Sequence, residues 1–162
     1  QFQKNSIQKK EKMFMRIVLI FLLLTFSFTK LLFAKNNYFL MLKNNKVNVR
    51  HGPDLNSPIK FIYNKKFLPI KVIDKKENFR RIIDFKNNSG WIHTSQLKKN
   101  KSFILLEDQI LFSKPTKYSK PIAKVSMGRL LLIKKCKLKW CKIRTESYTG
   151  WIKNEKVWGT FE

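Results

Sequence analysis

The sequence predicts an all-β protein: two small β-barrels in tandem, behind an N-terminal signal peptide. Three observations carry that prediction. The tripeptide Gly90-Trp91-Ile92 recurs as Gly150-Trp151-Ile152, sixty positions on. Each copy closes the same series of short apolar runs punctuated by Gly, Pro and Asn, without the 3.6-residue period of an amphipathic helix. The two copies also fill nearly all of the chain that follows one long apolar run, and a unit of this length suits a small self-contained domain better than a solenoid repeat.

That run comes first. Residues 17–28, IVLIFLLLTFSF, follow Arg16 and precede Leu32-Phe33-Ala34. Their length fits the roughly 7–15 residue apolar core of a secretory signal and falls short of the about 20 residues that span a bilayer. Lys30 blocks its extension, and cleavage is expected near Ala34, sending the mature chain to the periplasm or outside the cell. The rival is an uncleaved signal that anchors the protein to the membrane. Met13 and Met15 are more natural starts than Gln1, so residues 1–12 read as an upstream extension.

The first copy is expected over residues 38–98. Residues 38–42 and Val47-Asn48-Val49 read as strands joined by an Asn-centred turn. His51-Gly52-Pro53-Asp54 is turn chemistry, with Pro fixing φ and Gly free of steric restriction. Residues 68–73 and 79–85 supply two more strands, and a loop at 86–90 delivers Trp91-Ile92 to a short final strand. The second copy, over 102–159, repeats this with matching positions 63 apart (Pro58 to Pro121, Leu68 to Leu131), then 61 (Phe79 to Trp140), then 60 at the Gly-Trp-Ile. The lysine-rich residues 98–101 serve as the linker between the copies, and a single helical turn is allowed near Thr94 to Leu97, with a counterpart near Asn154.

Charge is the largest number in the composition. The chain carries 35 Lys and Arg against 10 Asp and Glu, a net +25. Residues 1–34 hold six of those cations and one acid, so 29 basic and 9 acidic residues remain, a net +20. A lysine coat of this kind attracts polyanions weakly and without selectivity. For an exported protein these are lipid head groups, envelope polymers and cell-wall carboxylates, and no nucleic acid is expected as a partner.

Cys136 and Cys141 flank a short hairpin in the second copy. Two close cysteines in an exported chain point to one local disulfide. Zinc would want four ligands, and both histidines, His51 and His93, lie in the other copy. No metal or other cofactor is therefore expected. Nor is a catalytic residue assigned: the chain has no nucleophilic serine motif, no cysteine with an activating histidine and no Gly-rich phosphate loop.

The stretches Val47-Asn48-Val49-Arg50-His51-Gly52-Pro53, Phe79-Arg80-Arg81-Ile82 leading to Gly90-Trp91-Ile92, and Cys136 to Trp140-Cys141 with Trp158-Gly159 resemble the bacterial SH3-like (SH3b) domains. The resemblance is specifically to the tandem form found in small exported proteins of Gram-negative, mostly alphaproteobacterial, bacteria. It implies a five- to six-stranded, partly open barrel per copy, used as a binding or targeting module rather than an enzyme, with cell-wall peptide or peptidoglycan as the ligand class. An envelope protein is the other partner it admits. The second copy departs from the pattern, with Phe112-Ser113-Lys114-Pro115 where the family's Arg and Gly stand.

The candidate ligand-binding residues are therefore in the first copy. Arg50 would pair an anion, with His51 and Asp54 beside it, Tyr63 stacking from the following segment, and Trp91 offering a ring face. The structural alternative has Arg50 bracing its turn through carbonyls and Trp91 packed over the barrel, with Gly90 giving the ring clearance. A protein without a specific pocket, held to anionic lipid or polymer by its lysines, is the competing function.

Overall fold

The computed structural model describes residues 14–16, 18, 38–145 and 147–159. The expected signal peptide and its cleavage site lie outside the described residues, apart from a helical stretch at 14–16 and 18. Among the described residues no helix is long and apolar enough to cross a membrane.

Among the described residues fourteen strands follow, seven to each copy. In the first they are β1 Tyr38–Leu42, β2 Val47–Arg50, β3 Ile59–Tyr63, β4 Pro69–Lys76, β5 Phe79–Ile83, β6 Ser89–His93 and β7 Leu97–Lys99. In the second they are β8 Ser102–Leu105, β9 Gln109–Phe112, β10 Pro121–Val125, β11 Leu130–Lys137, β12 Trp140–Arg144, β13 Thr149–Lys153 and β14 Val157–Trp158. Both sheets are antiparallel and share one order, β3-β2-β6-β5-β4-β1-β7 and β10-β9-β13-β12-β11-β8-β14. Seven strands per copy exceed the five to six expected: Ile59–Tyr63 forms a strand of its own, and the stretch read as a linker is itself structured. Lys98 and Lys99 belong to β7, paired with β1, and Asn100 is buried. The helical turn at Thr94–Gln96 is present as a 3-10 turn, and its counterpart near Asn154 is a bend.

Alternation along the strands builds the cores. Val47 and Val49 are fully buried while Asn48 and Arg50 between and beyond them face outward. Leu42, Val49, Ile70, Ile82, Ile92 and Leu97, from six strands, converge on one cluster, so the sheet curls around it. Phe103, Leu111, Leu131, Ile143 and Ile152 do the same in the second copy.

The two cores meet at β8. Phe103 and Leu105 point into the second cluster, whereas Ile104 enters the first, where Leu130 and Trp158 also pack. A strand buried on both faces reads as an unbroken apolar run, and Ser102-Phe103-Ile104-Leu105 is buried throughout. Further ties cross the junction: the Ser102 hydroxyl donates to the Phe67 carbonyl at 2.6 Å, and the Trp158 indole N–H to the Pro69 carbonyl at 3.1 Å. Gly159 lies there with φ 111°, where a Cβ would meet the Ser102 carbonyl at 2.8 Å.

Hydrogen bonding also corrects the alignment of the copies. Phe67 N–H bonds the Leu42 carbonyl and Leu42 N–H the Leu68 carbonyl; Gly128 N–H bonds the Leu105 carbonyl and Leu105 N–H the Arg129 carbonyl. Phe67 thus corresponds to Gly128 and Leu68 to Arg129, not Leu68 to Leu131. Likewise His51 N–H reaches the Pro58 carbonyl as Ser113 N–H reaches that of Lys120, so Pro58 matches Lys120 rather than Pro121.

Candidate binding face

Gly90 and Gly150 stand where the sheet turns back to pair with β2 and β9. A Cβ on Gly90 would overlap the Val49 side chain and the Arg50 carbonyl, and one on Gly150 would come within 2.8 Å of the Phe112 carbonyl. The clearance these glycines give is for the crossing strand rather than for the tryptophan ring. Trp91, next in the strand, projects to the outer face and is half-buried.

On that face the register places Trp91 between two arginines: Arg50 on β2 and Arg81 on β5. Arg50 is set there by an irregularity of register after Val49, and its Nη1 donates to the Ser57 carbonyl at 2.6 Å. The same turn is closed by His51 N–H to the Pro58 carbonyl at 3.1 Å and Ser57 N–H to the Asp54 carbonyl at 3.3 Å. Arg50 therefore braces the turn, as the structural alternative had it, and a guanidinium has five N–H donors of which this uses one. His51 and Asp54 are exposed beside it.

Tyr63 is not part of this group. It sits at the far end of β3, paired with Val47 while Arg50 pairs with Ile59, a separation of about 13 Å along the strand. Its hydroxyl donates to Asp84 Oδ2 at 2.9 Å and its ring meets Phe61 edge-on at 5.1 Å. Burial, and then the bonded carboxylate, hold its phenol well above the ordinary tyrosine range. A groove reading that joins Tyr63 to Arg50 is corrected by this separation: the alternating strand carries the tyrosine to the opposite end of the hairpin.

Asp84 is the residue that sequence reasoning missed. Nearly fully buried, its carboxylate accepts from the backbone N–H of Lys86 and Asn88, the Asn88 amide and Tyr63. Asp followed by Lys86-Asn87-Asn88 was the available signal, since Asp side chains cap such turns and Asn tolerates the positive φ of 65° that Asn87 adopts.

In the second copy the equivalent row reads Phe112, Trp151, Lys142 and Lys135, with the Lys135 ammonium 5.9 Å from the Trp151 ring centre. Its turn is tied by the Ser119 hydroxyl, bonded to the carbonyls of Lys114 and Thr116, in place of the arginine. Cys136 and Cys141 are register partners on β11 and β12 and form a disulfide. Of the aromatic pair Phe79 and Trp140, Phe79 is buried, edge-on against His93, its partner on β6, and Trp140 is half-buried against Phe112; neither belongs to the two main clusters. Among the described residues no group of three or more His, Cys, Asp or Glu is placed to hold a metal.

The ion pairs seen are exposed ones, Lys124 with Asp108 at 2.8 Å and Lys139 and Lys153 with Glu155 at 3.8 and 3.6 Å. Hydrogen bonding to the partner lowers the Asp108 pKa and raises that of Lys124. Pairs this exposed contribute little to stability.

Three comparisons bear on kinship. No curated protein matches the chain. Among solved structures, NlpC2 from Trichomonas vaginalis is 15% identical with a TM-score of 0.36, over 78% of this chain and 49% of that one. An NlpC/P60 family protein from Bacillus cereus is 12% identical with a TM-score of 0.34, over 74% and 55% respectively. The chain thus spans about half the length of these proteins. The family model of the bacterial SH3 domain matches residues 43–99 and again residues 107–159, one match per sheet and together more than half of the sequence. The chain belongs to the bacterial SH3 domain family and carries two copies of the domain in tandem.

Proposed function

We propose that this is a non-catalytic binding module of the cell envelope, exported to the periplasm or beyond, that takes cell-wall peptide or peptidoglycan on the outer face of its first domain. An envelope protein recognised by the same face is the other partner of this class. The observation that carries the reading is the row Arg50, Trp91, Arg81 beside the exposed turn. A flat ring between two guanidinium groups stacks a sugar or peptide plane while the arginines take its carboxylate. His51 and Asp54 edge the site.

A second reading rests on the net charge of +25: adhesion to anionic lipid or polymer through lysines alone. Salt separates the two. The first predicts retention on purified peptidoglycan that survives about 1 M salt, where the Debye length is near 3 Å, and that drops at least tenfold in Arg50→Ala. Retention lost at moderate salt and unchanged by Arg50→Ala would establish the second. Release of muropeptides by the pure protein would overturn the non-catalytic assignment.

A further inference from the structure

At the junction of the two domains lies a second site, built from positions at which the copies differ. A cleft of about 570 Å³ opens there, lined by Lys65, Arg129 and Arg144 and by Phe67, Leu130 and Leu132. Its size is within the roughly 300–1,000 Å³ of small-molecule sites. Among the described residues no acid lines it, and none of the three cations is ion-paired. Two of them stand where the first copy is apolar, since Arg129 corresponds to Leu68 and Arg144, by strand position, to Ile83.

Phe67 marks the cleft independently. It holds φ 66°, in the left-handed region that bulky residues avoid, and its counterpart Gly128, φ 79°, fills the same conformation with the residue that does so at no steric cost. The strained backbone is fixed from both sides, by its N–H to Leu42 and by the Ser102 hydroxyl on its carbonyl. Strain held in this way concentrates at ligand sites. The ring is flanked by Lys98 at 4.6 Å and Lys66 at 5.2 Å. From it a cross-strand row runs through Ser102 and Leu132 to Arg144.

We propose that this cleft binds a small amphipathic anion: a phosphate monoester head held by Arg129, Arg144 and Lys65, on an aliphatic chain laid along Phe67, Leu130 and Leu132. Three cations match a doubly charged head better than a single carboxylate, and guanidinium groups meet phosphate oxygens in pairs. The site shares no residue with the Arg50 and Trp91 face, so either can fail without the other.

The test is calorimetric titration of the whole protein with dodecyl phosphate below its micellar concentration, beside inorganic phosphate, dodecyl maltoside and phosphatidylglycerol vesicles. One-to-one binding of dodecyl phosphate is expected, at least tenfold tighter than either inorganic phosphate or dodecyl maltoside. It should weaken at least tenfold in the double variant Arg129→Gln/Arg144→Gln, whose exposed side chains can be changed without disturbing the cores. In Phe67→Gly it should weaken likewise while the melting temperature holds or rises. Equal binding by the parent and the double variant overturns the proposal. So does response to the vesicles alone, which would assign the charges to a membrane surface rather than a pocket.

Discussion

The two domains share a strand order and differ at their turns and outer faces, and the differences show what the duplication left free to change. In the first, an arginine braces the turn before β3 and a buried aspartate closes the turn before β6. In the second, hydroxyl groups do both jobs: Ser119 in one turn, and Thr145 bonded to Tyr148 in the other. The constant parts are those the barrel cannot lose, the glycine that lets one strand cross another and the alternating inward residues. Turn chemistry is replaceable because a turn needs only some donor or acceptor to satisfy its backbone. The braces therefore differ in strength, and the second domain has a disulfide that the first lacks.

Ile104 probes the comparison most severely, because it leaves the second domain to complete the core of the first. Ile104→Ala should cost about 2–5 kcal/mol and lower a single cooperative melting transition. Two separated transitions would show that the domains are independent. Asp84→Ala should cost about 2–3 kcal/mol by leaving buried donors unpaired, whereas Thr145→Ala, in the matching turn, should cost about 1 kcal/mol or less; urea denaturation of both variants decides it. Replacing Cys136 and Cys141 by serine should cost about 2 kcal/mol or less, since the closed loop is short, and should leave peptidoglycan retention unchanged.

The smallest effect concerns Tyr63. Its phenol is held above the unfolded value of about 10, so its protonated form stabilises the fold fully below that pH, and the contribution is lost as pH rises further. Tyr63→Phe should cost about 1 kcal/mol near neutrality and lose less stability than the parent between about pH 9 and 11, as read from melting curves.

Much of this architecture was legible in the chain. Val47-Asn48-Val49 and the doubled Gly-Trp-Ile mark strands whose alternation the structure follows. What escaped notice was non-local. Phe103 to Leu105 is an apolar run of a kind that belongs to one core or two, and only the packing decides which. Phe67 and Gly128 are equivalent through backbone bonds, not side-chain type, so matching Leu68 to Leu131 by residue identity hid them. Of the candidate site, the Arg50, His51 and Asp54 turn could be read from its own dipeptides, and Trp91 joins it only through the β2 and β6 pairing. Tyr63 was misplaced because sequence proximity does not say which end of a hairpin a residue occupies.

The central claim is that the first domain's outer face, and not the overall charge, recognises the envelope. A reciprocal exchange tests it: Arg50→Phe and Phe112→Arg, singly and together, with retention on purified peptidoglycan measured at about 1 M salt. Retention should fall at least tenfold in Arg50→Phe, remain in Phe112→Arg, and stay low in the double variant, where the arginine lacks the first domain's turn and Arg81. Equal retention by all four proteins would contradict it.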